Sequence, residues 1–459
     1  MNERIVILGG GESGVGAAML ARQKGYEVFL SDGGNLASDR RRTLKSQKID
    51  FEEGGHSEEL LLNASLVVKS PGIPDSAPLV QKLVGNNIPV ISEIEFAYRF
   101  IDKAKVIAIT GTNGKTTTSL LTHHLLKTAG YKVALGGNVG RSLAGLVAEG
   151  GYHYYVVEVS SFQLDGIDNF RPDVAVLLNI TPDHLDRYEY NFDKYVTSKF
   201  RIIENLTNEQ AFIYCADSAP VTEEISRRKI EASMFAMSAS NNNKLSAYLK
   251  DEHLIFNFQY KHDAAEFQIP VSEISLIGKH NMVNSMAAVL SALCMEVPME
   301  MILKGLKNFK NAPHRLEFVK EIDGAAYIND SKATNVDSVY YALDGVKGDI
   351  IWIAGGIDKG NDYTQIEKLV KEKVKALICM GKDNRTLTNY FGSKLNKIAE
   401  VDSVKKAIDQ AHEWSEVGDV VLLSPACASF DLFSNYEDRG DKFKRAVNKL
   451  AKTLKTNEA

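Results

Sequence analysis

The stretch VIAITGTNGKTTTSLLTHHLLKTAG, residues 106–130, joins an apolar β-branched run to a Gly/Thr/Asn loop and then to an amphipathic helical pattern. A loop that ends a strand and opens a helix points backbone N–H groups and the positive end of the helix dipole at one place. That place suits the phosphates of a nucleotide, and Lys115 adds a positive charge. A complete P-loop has another glycine five residues before Gly114, where this chain has Ile109, so only GxxGKT matches. The pattern favours phosphate binding over an ordinary strand-to-helix turn.

Polar residues that could hold a metal ion follow the neighbouring strands. Mg²⁺ prefers oxygen ligands, and the Thr116 hydroxyl is the usual P-loop ligand. Further candidates at strand ends are Glu158 in EVSSFQLD, and Asn179, Asp183 and His184 in NITPDHLDRY. A strand-end carboxylate can also be structural, and a lone loop histidine is more often a surface residue, so both interpretations stay open. Lys199 in YVTSKF is an odd residue beside metal ions unless its charge is altered.

Length and composition exclude several classes of protein. At 459 residues the chain is expected to form about three domains. The 54 basic and 59 acidic residues give a net charge of −5, which argues against a general nucleic-acid or anionic-membrane surface. We find no signal peptide, no apolar run near the ~20 residues of a membrane span, and no CxxC pair among the four cysteines. We therefore expect a cytoplasmic enzyme without a zinc site or disulfide framework.

Three blocks of alternating strand and helix patterns follow one another, with boundaries expected at 1–93, 94–311 and 312–459. The first block contains a GxGxxG-like turn over Gly9, Gly11 and Gly14, and Asp32 ends its second strand where an acidic residue meets a ribose. Small residues that only allow close helix–strand packing would give the same turn. In this block SLVVKSPGIP also predicts a strand that feeds a turn at the ligand-binding edge of the sheet.

The second block contains the phosphate loop in a predicted parallel sheet, and its residues 210–275 predict an antiparallel hairpin in a small side sheet. The third block supplies the strands IIWIAGG, ALICMG and DVVLLSP. The predicted fold is therefore α/β with three consecutive domains. The first is Rossmann-like, the second is a P-loop ATPase-like parallel sheet with a small side sheet, and the third is Rossmann-like.

Seven motifs in order carry a family resemblance: GTNGKTTT, EVSSFQLD, TPDHLDRY, HNMVNS, APHRLE, NDSKATN and SPACASFD. Together they cover two of the blocks, and the chain resembles the Mur ligases of bacterial cell-wall synthesis over nearly its whole length. More narrowly, it is similar to the members that join D-glutamate to UDP-N-acetylmuramoyl-L-alanine. The resemblance implies ATP-dependent amide formation through an acyl phosphate, two Mg²⁺ ions, and domains for the UDP-substrate, for ATP and for closure over the site. It also implies a monomer that binds no nucleic acid and does not insert into a membrane.

The resemblance assigns roles to particular residues. The implied catalytic residues are Lys115, His184, Lys199 and Lys332. The implied ATP-binding residues are Gly111, Thr112, Asn113, Gly114, Lys115, Thr116, Thr117, Asn284, Arg315 and Asp330. Those for the UDP-substrate are Glu12, Ser13, Gly14, Asp32, Ser70, Pro71, Gly72 and Asn138. Those for D-glutamate are Thr334, Lys359, Ser429, Phe430 and Tyr436. The implied metal ligands are Thr116, Glu158, His184 and Lys199, the last as a carbamate, which would account for a lysine at that place.

Three positions depart from the commonest family pattern, and three rival functions remain. Glu12 lies inside the glycine turn, Gly33 stands where a hydroxyl residue is frequent, and Tyr436 replaces an expected phenylalanine. For Asn284, which the resemblance places near the adenine, a pair of helix caps in HNMVNS is the alternative interpretation. The rivals are a folylpolyglutamate synthase, against which the glycine-rich first block argues, an NAD-dependent dehydrogenase, and a nucleotide-gated binding protein without synthetic chemistry.

Overall fold

The computed structural model describes residues 3–457. Three β-sheets flanked by helices follow one another along the chain, which confirms the predicted α/β class and its three domains. The chain forms two compact units: one runs to Ser275 and includes Met282–Phe309, and the other comprises Leu276–Asn281 and the chain from Lys310 onward. The first two sheets belong to the first unit. The domain boundaries near residues 93 and 311 stay predictions.

The first sheet has five parallel strands in the order β3-β2-β1-β4-β5. This order reverses direction between β1 and β4, the place where open α/β sheets bind ligands. The strands are β1 Arg4–Leu8, β2 Glu27–Asp32, β3 Asp50–Glu53, β4 Leu66–Lys69 and β5 Val90–Ser92. The helices are α1 Glu12–Gln23, α2 Ser38–Ser46, α3 Glu58–Leu61, α4 Pro78–Gly85 and α5 Glu93–Tyr98.

The second sheet has nine strands in the order β14-β13-β12-β11-β10-β9-β6-β8-β7. They are β6 Lys105–Thr110, β7 Val133–Gly137, β8 Tyr154–Glu158, β9 Val174–Leu177, β10 Ala211–Cys215, β11 Ser233–Ser238, β12 Ala247–Lys250, β13 His253–Tyr260 and β14 Asp263–Pro270. The helices are α6 Lys115–Thr128, α7 Leu143–Glu149, α8 Ser161–Leu164, α9 Phe192–Phe200, α10 Ala219–Ser226, α11 Lys279–Cys294 and α12 Met299–Asn308.

The predicted hairpin in this region is antiparallel, as expected, and it continues the central sheet. Strand β13 pairs antiparallel with both β12 and β14, while β12 pairs parallel with β11. Only two residue pairs make the β11–β12 join, Met237 with Ala247 and Ser238 with Tyr248. This short join adds the predicted side sheet to the edge of the parallel strands.

The third sheet has six strands in the order β15-β16-β20-β17-β18-β19, and only the β15–β16 pair is antiparallel. Its strands are β15 Glu317–Ile322, β16 Ala325–Asn329, β17 Ile350–Ala354, β18 Val374–Met380, β19 Ile398–Val401 and β20 Val420–Leu423. Its helices are α13 Val336–Gly345, α14 Glu367–Lys373, α15 Arg385–Phe391, α16 Val404–Trp414 and α17 Tyr436–Asn457. Separate apolar clusters cover the two faces of this sheet, so strands such as β17 are buried throughout.

A close helix contact joins the first two sheets within the first unit. A Cβ added to Gly16 of α1 would lie 2.0 Å from Ser142 Oγ, so α1 and α7 can approach this closely only with glycine at that position. The Glu93 carboxylate accepts hydrogen bonds of 2.6 Å each from Ser142 Oγ and the Ala144 backbone N–H at the start of α7. The first two domains therefore share one packed interface.

Among residues 3–457, four short 3₁₀ turns complete the elements, at Leu185–Tyr188, Arg201–Ile203, Val271–Glu273 and Tyr363–Ile366. The cysteines at positions 215, 294, 379 and 427 are free and buried. No helix in the described part of the chain has both the length and the apolar character needed to cross a membrane.

Candidate active site

The phosphate loop joins β6 to α6 as the sequence predicts. Gly111 and Gly114 have φ values of +150° and +86°, in the region that favours glycine. A Cβ added to Gly114 would lie 2.4 Å from Asn284 Oδ1, so a larger residue would collide with α11. Lys115 Nζ donates to the Gly111 and Thr112 carbonyl oxygens, each at 2.8 Å. The lysine thus curls over its own loop, where it can meet a phosphate.

Asn179, at the end of the neighbouring strand, fixes the shape of this loop. Its backbone oxygen accepts from Thr112 N at 2.8 Å. Its side-chain oxygen accepts from Asn113 N at 2.9 Å, and its amide donates to the Asn113 oxygen at 3.0 Å. Its side chain, one of the candidate metal ligands, is therefore occupied with holding the loop. Thr116 and Thr117 lie in the first turn of α6, and Thr118 Oγ1 donates to Asn284 Oδ1 at 3.2 Å.

Lys199 lies at the floor of the loop. It is 2% exposed, and its Nζ donates to the Gly111 oxygen at 2.9 Å and lies 4.7 Å from the centre of the Tyr195 ring. Burial, followed by the nearby charge of Lys115, places the pKa of Lys199 well below its usual value. A buried lysine that is neutral can act as a nucleophile, which an ordinary surface lysine cannot do at neutral pH.

Glu158 ends β8 and is 2% exposed. One carboxylate oxygen accepts from Asn138 Nδ2 at 2.7 Å, while Oε2 is buried and has no hydrogen-bond donor. An unsatisfied buried carboxylate oxygen fits a cation, which keeps Glu158 a suitable metal ligand. Asn138, which the family resemblance assigned to the UDP-substrate, is the donor to this carboxylate.

His184 is less enclosed than the other predicted metal ligands. It has φ +52°, its side chain is 55% exposed, and its Nε2 lies 3.5 Å from Asp183 Oδ2. Within residues 3–457 it makes no hydrogen bond with Glu158 or Lys199, and no three His, Cys, Asp or Glu side chains cluster as a metal site. The predicted metal set therefore depends on the Thr116 hydroxyl and on a modified lysine to complete its oxygen ligands.

Arg187 joins two predicted loops, and sequence reasoning missed it. Its guanidinium donates to the Pro71 oxygen at 3.3 Å and to the Gly72 oxygen at 3.4 Å, and it lies 4.4 Å from the centre of the Phe162 ring. His184 contacts the same ring at 5.3 Å. The loop predicted to hold the UDP-substrate is therefore tied to the loop that carries His184.

The glycine turn after β1 is as tightly built as a nucleotide-binding turn requires. A Cβ added to Gly14 would lie 1.8 Å from the Gly9 oxygen, so the helix approaches the turn backbone too closely for any other residue. Ser70 Oγ donates to the same oxygen at 3.4 Å. The structure thus brings Ser70 beside the turn that leads into α1, whose first residues include Ser13 and Gly14.

The two acidic residues of this region face different ways. Asp32 accepts from Gly10 N at 2.5 Å and Gly34 N at 2.7 Å, so both of its oxygens fasten backbone loops. Glu12 accepts from Ser142 N at 3.4 Å and so contacts the second domain. Glu12 is the first residue of α1 and not part of the turn as expected, and this contact gives a structural reason for an acidic residue there.

In the second unit, Asp330 follows β16 and is 7% exposed. It accepts from Ser424 Oγ at 2.9 Å and from Leu316 N at 3.2 Å. Burial raises its pKa to about 7, against the hydrogen bond from Ser424 and the charge of Arg315. The side chain is thus held in place, and its charge state is sensitive near neutral pH.

Lys332 and Tyr436 are brought together. Lys332 Nζ lies 3.7 Å from the centre of the Tyr436 ring, a cation–π contact. Tyr436 stands where a phenylalanine was expected, and its aromatic face supplies this contact equally well. Thr334 N donates to the Lys332 oxygen at 2.9 Å, which places all three residues in one cluster.

The loops after β17 and β20 are linked by a short bridge. Ile357 N donates to the Ala428 oxygen at 2.8 Å, and Ala428 N donates back at 3.1 Å. Lys359 follows on one loop and is exposed, while Ser429 on the other is 2% exposed and Phe430 is 69% exposed. The bridge holds the two loops predicted to bind D-glutamate side by side.

Arg439 organises the same region, and no sequence pattern pointed to it. It is fully buried, donates to the Ser331 side chain at 3.0 Å and backbone oxygen at 2.9 Å, and reaches the Gly355 oxygen at 3.3 Å and the Cys427 oxygen at 3.2 Å. Burial lowers its pKa to about 10. One side chain therefore fastens the loops after β16, β17 and β20. Arg439 lies on α17, outside the motifs that the sequence analysis used, so no local pattern marks it.

Known proteins match this chain over nearly its whole length. Family models named Mur ligase middle domain, Mur ligase glutamate ligase domain and MurD N-terminal domain match residues 109–292, 314–427 and 4–78. A UDP-N-acetylmuramoylalanine–D-glutamate ligase of Cytophaga hutchinsonii is 50% identical over 452 residues, 98% of this chain and 100% of that one. The same-named protein of Christiangramia forsetii is 46% identical over 450 residues, with 98% and 100% covered.

A solved structure agrees with the fold. The MurF ligase from Thermotoga maritima in complex with ADP superposes with a TM-score of 0.62 at 16% identity, covering 94% of this chain and 99% of that one. The chain shares this fold, carries the phosphate loop, and is nearly half identical in sequence to its relatives over their full length. It therefore belongs to the Mur ligase family.

Proposed function

We propose that the chain is an ATP-dependent ligase that joins D-glutamate to UDP-N-acetylmuramoyl-L-alanine in the synthesis of peptidoglycan precursors. The observation that carries the proposal is the phosphate loop, where Lys115 and the buried Lys199 both donate to the Gly111 carbonyl, while the neighbouring strand β8 ends at Glu158 with its unsatisfied oxygen. The names of the full-length relatives support this choice of substrates.

In the proposed reaction the alanyl carboxylate attacks the γ-phosphorus of ATP, and ADP leaves. The amine of D-glutamate then attacks the acyl phosphate, loses a proton, and expels inorganic phosphate as the amide forms. Such chemistry depends mainly on positioning and on charge neutralisation around the phosphoryl group. Lys115 supplies a positive charge at the phosphates, and the N-terminus of α6 supplies backbone N–H groups.

Two Mg²⁺ ions are part of the proposal, with Thr116, Glu158, His184 and a carbamylated Lys199 as their ligands. When bound, Mg²⁺ neutralises phosphate charge. The carbamate forms when the neutral Lys199 amine attacks the carbon of CO₂ and releases a proton. The product presents two carboxylate-like oxygens in place of the amine nitrogen. The burial of Lys199 and the nearby charge of Lys115 lower the pKa of Lys199 and so favour the neutral amine that this step needs.

The remaining site assignments are proposals for each region. For ATP they are Gly111, Thr112, Asn113, Gly114, Thr116, Thr117, Asn284, Arg315 and Asp330, with Lys332 as a catalytic group. For the UDP-substrate they are Glu12, Ser13, Gly14, Asp32, Ser70, Pro71, Gly72 and Asn138. For D-glutamate they are Thr334, Lys359, Ser429, Phe430 and Tyr436. We further propose the domains 1–93, 94–311 and 312–459, and a monomer in the cytoplasm.

The test is phosphate release with ATP and the UDP-muramoyl-alanine substrate, each candidate amino acid being added in turn. We expect release with D-glutamate and little with L-glutamate, D-alanine or a diamino acid. Release with a folate substrate and glutamate would favour the synthase alternative. Nucleotide-dependent binding without any amino-acid-dependent release would favour a binding protein.

A further inference from the structure

Tyr363 lies just after the GGIDKG loop that follows β17, and the sequence patterns gave it no role. The residue is 2% exposed. The centre of its ring lies 5.7 Å from that of Tyr390 and 5.6 Å from that of Phe391, and both of these residues belong to α15. The ring is therefore fixed in place by its packing against this helix.

The hydroxyl of Tyr363 stands in the middle of a chain of hydrogen bonds. It donates to Asp358 Oδ2 at 2.7 Å and accepts from Asn361 Nδ2 at 3.1 Å. Burial raises the pKa of Tyr363, so the hydroxyl keeps the proton that it donates. Asn361 Nδ2 also donates to the Ala426 carbonyl oxygen at 3.1 Å. One hydroxyl thus links a carboxylate of the loop after β17 to the amide that holds the loop after β20.

The other oxygen of Asp358 shapes the turn that carries Lys359. Asp358 Oδ1 accepts from Gly360 N at 2.7 Å and from Asn361 N at 3.0 Å, in the manner of an Asx turn. Gly360 has φ +84°, in the region that favours glycine. The backbone around Lys359 is therefore held by the same carboxylate that receives the Tyr363 hydroxyl proton.

Two contacts fasten this turn to the loop after β20, one on each side of Lys359. The backbone bridge between Ile357 and Ala428 comes before the lysine. The hydrogen bond from Asn361 to Ala426 comes after it. Because both contacts join the same two loops, the backbone that carries Lys359 has little freedom to move relative to the other loop.

We propose that the Tyr363 hydroxyl fixes the spacing between Lys359 and Ser429 and thereby makes the site select D-glutamate over D-aspartate. The inference rests on the proposed function, which binds D-glutamate at these two residues. D-Aspartate is one methylene group shorter, so with a rigid spacing its amine and its side-chain carboxylate cannot both reach the places that those of D-glutamate fill. A misplacement of about 1 Å can reduce a rate by as much as 10²-fold. Tyr363 is in this sense a positioning residue.

The test is phosphate release by the full-length chain with ATP, the UDP-muramoyl-alanine substrate, and either D-glutamate or D-aspartate. We expect the wild type to prefer D-glutamate in kcat/KM by about 10²-fold or more. Tyr363→Phe keeps the ring and removes only the hydroxyl. It should raise the KM for D-glutamate by about ten-fold, with kcat and the KM for ATP nearly unchanged. The loosened loops can follow the shorter substrate, so kcat/KM for D-aspartate should change little and the preference should fall by about ten-fold.

The matched control is Tyr390→Phe, which removes a hydroxyl from the same aromatic cluster. That hydroxyl donates to Glu367 Oε2 at 2.6 Å, at the start of α14, and not to the loop after β17. The control should keep the full preference for D-glutamate. Thermal unfolding of both variants measures whether each one is folded.

Several results would overturn the role of Tyr363. They are an unchanged preference in a folded Tyr363→Phe variant, an equal loss of kcat/KM for both amino acids, or the same fall in preference in the control. If Tyr363→Phe does not fold, Asn361→Ala decides, since it removes the contact with Ala426. A reduced preference in that variant supports the inference, and an unchanged one overturns it. A wild type that uses both amino acids equally well would overturn the inference alone, whereas one that releases phosphate with neither would overturn the proposed function.

Discussion

The side chains of Lys115 and Lys199 share one acceptor, since both Nζ atoms donate to the Gly111 carbonyl oxygen, at 2.8 and 2.9 Å. Two amines this close cannot both carry a charge cheaply in a buried place, and Lys199 is the more buried of the two. The result is one cation that can meet a phosphate and one amine with a lowered pKa. Replacing Lys115 and replacing Lys199 are therefore expected to affect the activity in different ways.

Lys115→Ala should reduce ligation by ~10²-fold or more, because the charge that neutralises the transferring phosphoryl group is lost. Phosphate release under saturating substrates measures the effect. Lys127→Ala, an exposed lysine at the end of the same helix, is the matched control and should retain activity. Near-normal turnover in Lys115→Ala would remove the loop from the mechanism.

Lys199→Ala should be inactive and partly rescued by acetate, whose oxygens replace those of the proposed carbamate. In the wild type, ¹³C-labelled CO₂ should give a carbamate carbon signal that the variant lacks. Lys194→Ala, on the exposed side of the same helix, should keep both the activity and the signal. High-resolution density for an unmodified amine with both Mg²⁺ ions and substrate bound would contradict the carbamate.

Lys359→Met should raise the KM for D-glutamate by about ten-fold to 100-fold, since a hydrogen-bonded charge pair is lost. The wild type should discriminate against D-alanine and D-glutamine for the same reason. The KM values for ATP and the UDP-substrate should stay nearly unchanged. Lys368→Met, whose side chain is 87% exposed, is the control. A raised KM for ATP with unaltered dependence on D-glutamate would place Lys359 at the nucleotide instead.

Arg439→Lys should raise the KM for D-glutamate by about ten-fold, because a lysine cannot hold the Ser331, Gly355 and Cys427 loops at once. Losing several buried hydrogen bonds should also cost about 2–4 kcal/mol of stability in the second unit. Arg445→Lys, exposed on the same helix, should change neither quantity. A loss of stability without any change in the D-glutamate KM would limit Arg439 to a purely structural role.

Glu93→Gln tests the interface between the first two domains through its pH dependence. Burial raises the pKa of Glu93 from 4.5 to about 7, against hydrogen bonds from Ser142 and Ala144. Between those pH values the folded chain binds more protons than the unfolded chain, so wild-type stability falls as the pH rises from 4.5 through 7. Glutamine does not titrate. The stability of the variant relative to the wild type should therefore increase by roughly 3 kcal/mol between pH 4.5 and pH 8.

Thermal unfolding of both proteins at pH 5, 6.5 and 8 measures this relative change. Glu59→Gln, an exposed carboxylate in the first domain, is the control and should follow the wild type. A stability difference between Glu93→Gln and the wild type that does not vary with pH would show that Glu93 is ionised throughout this range.

The sequence by itself determined the α/β class, the three domains and the phosphate loop. These features are local: the apolar strand, the positive-φ glycines Gly111 and Gly114 and the lysine after them all lie within a few residues of one another. The antiparallel hairpin followed from simple alternation along β13 and β14. The ordered motifs determined the family resemblance, which the full-length relatives confirm.

Only the tertiary structure decided which distant residues support the site. Lys199 and Gly111 are 88 residues apart, and Arg439 and Ser331 are 108 apart, so no spacing in the sequence relates them. The join of the hairpin to the parallel sheet rests on two residue pairs that no pattern marks. Periodicity and turn chemistry act between near neighbours, whereas burial and hydrogen-bond geometry arise only once the chain has folded.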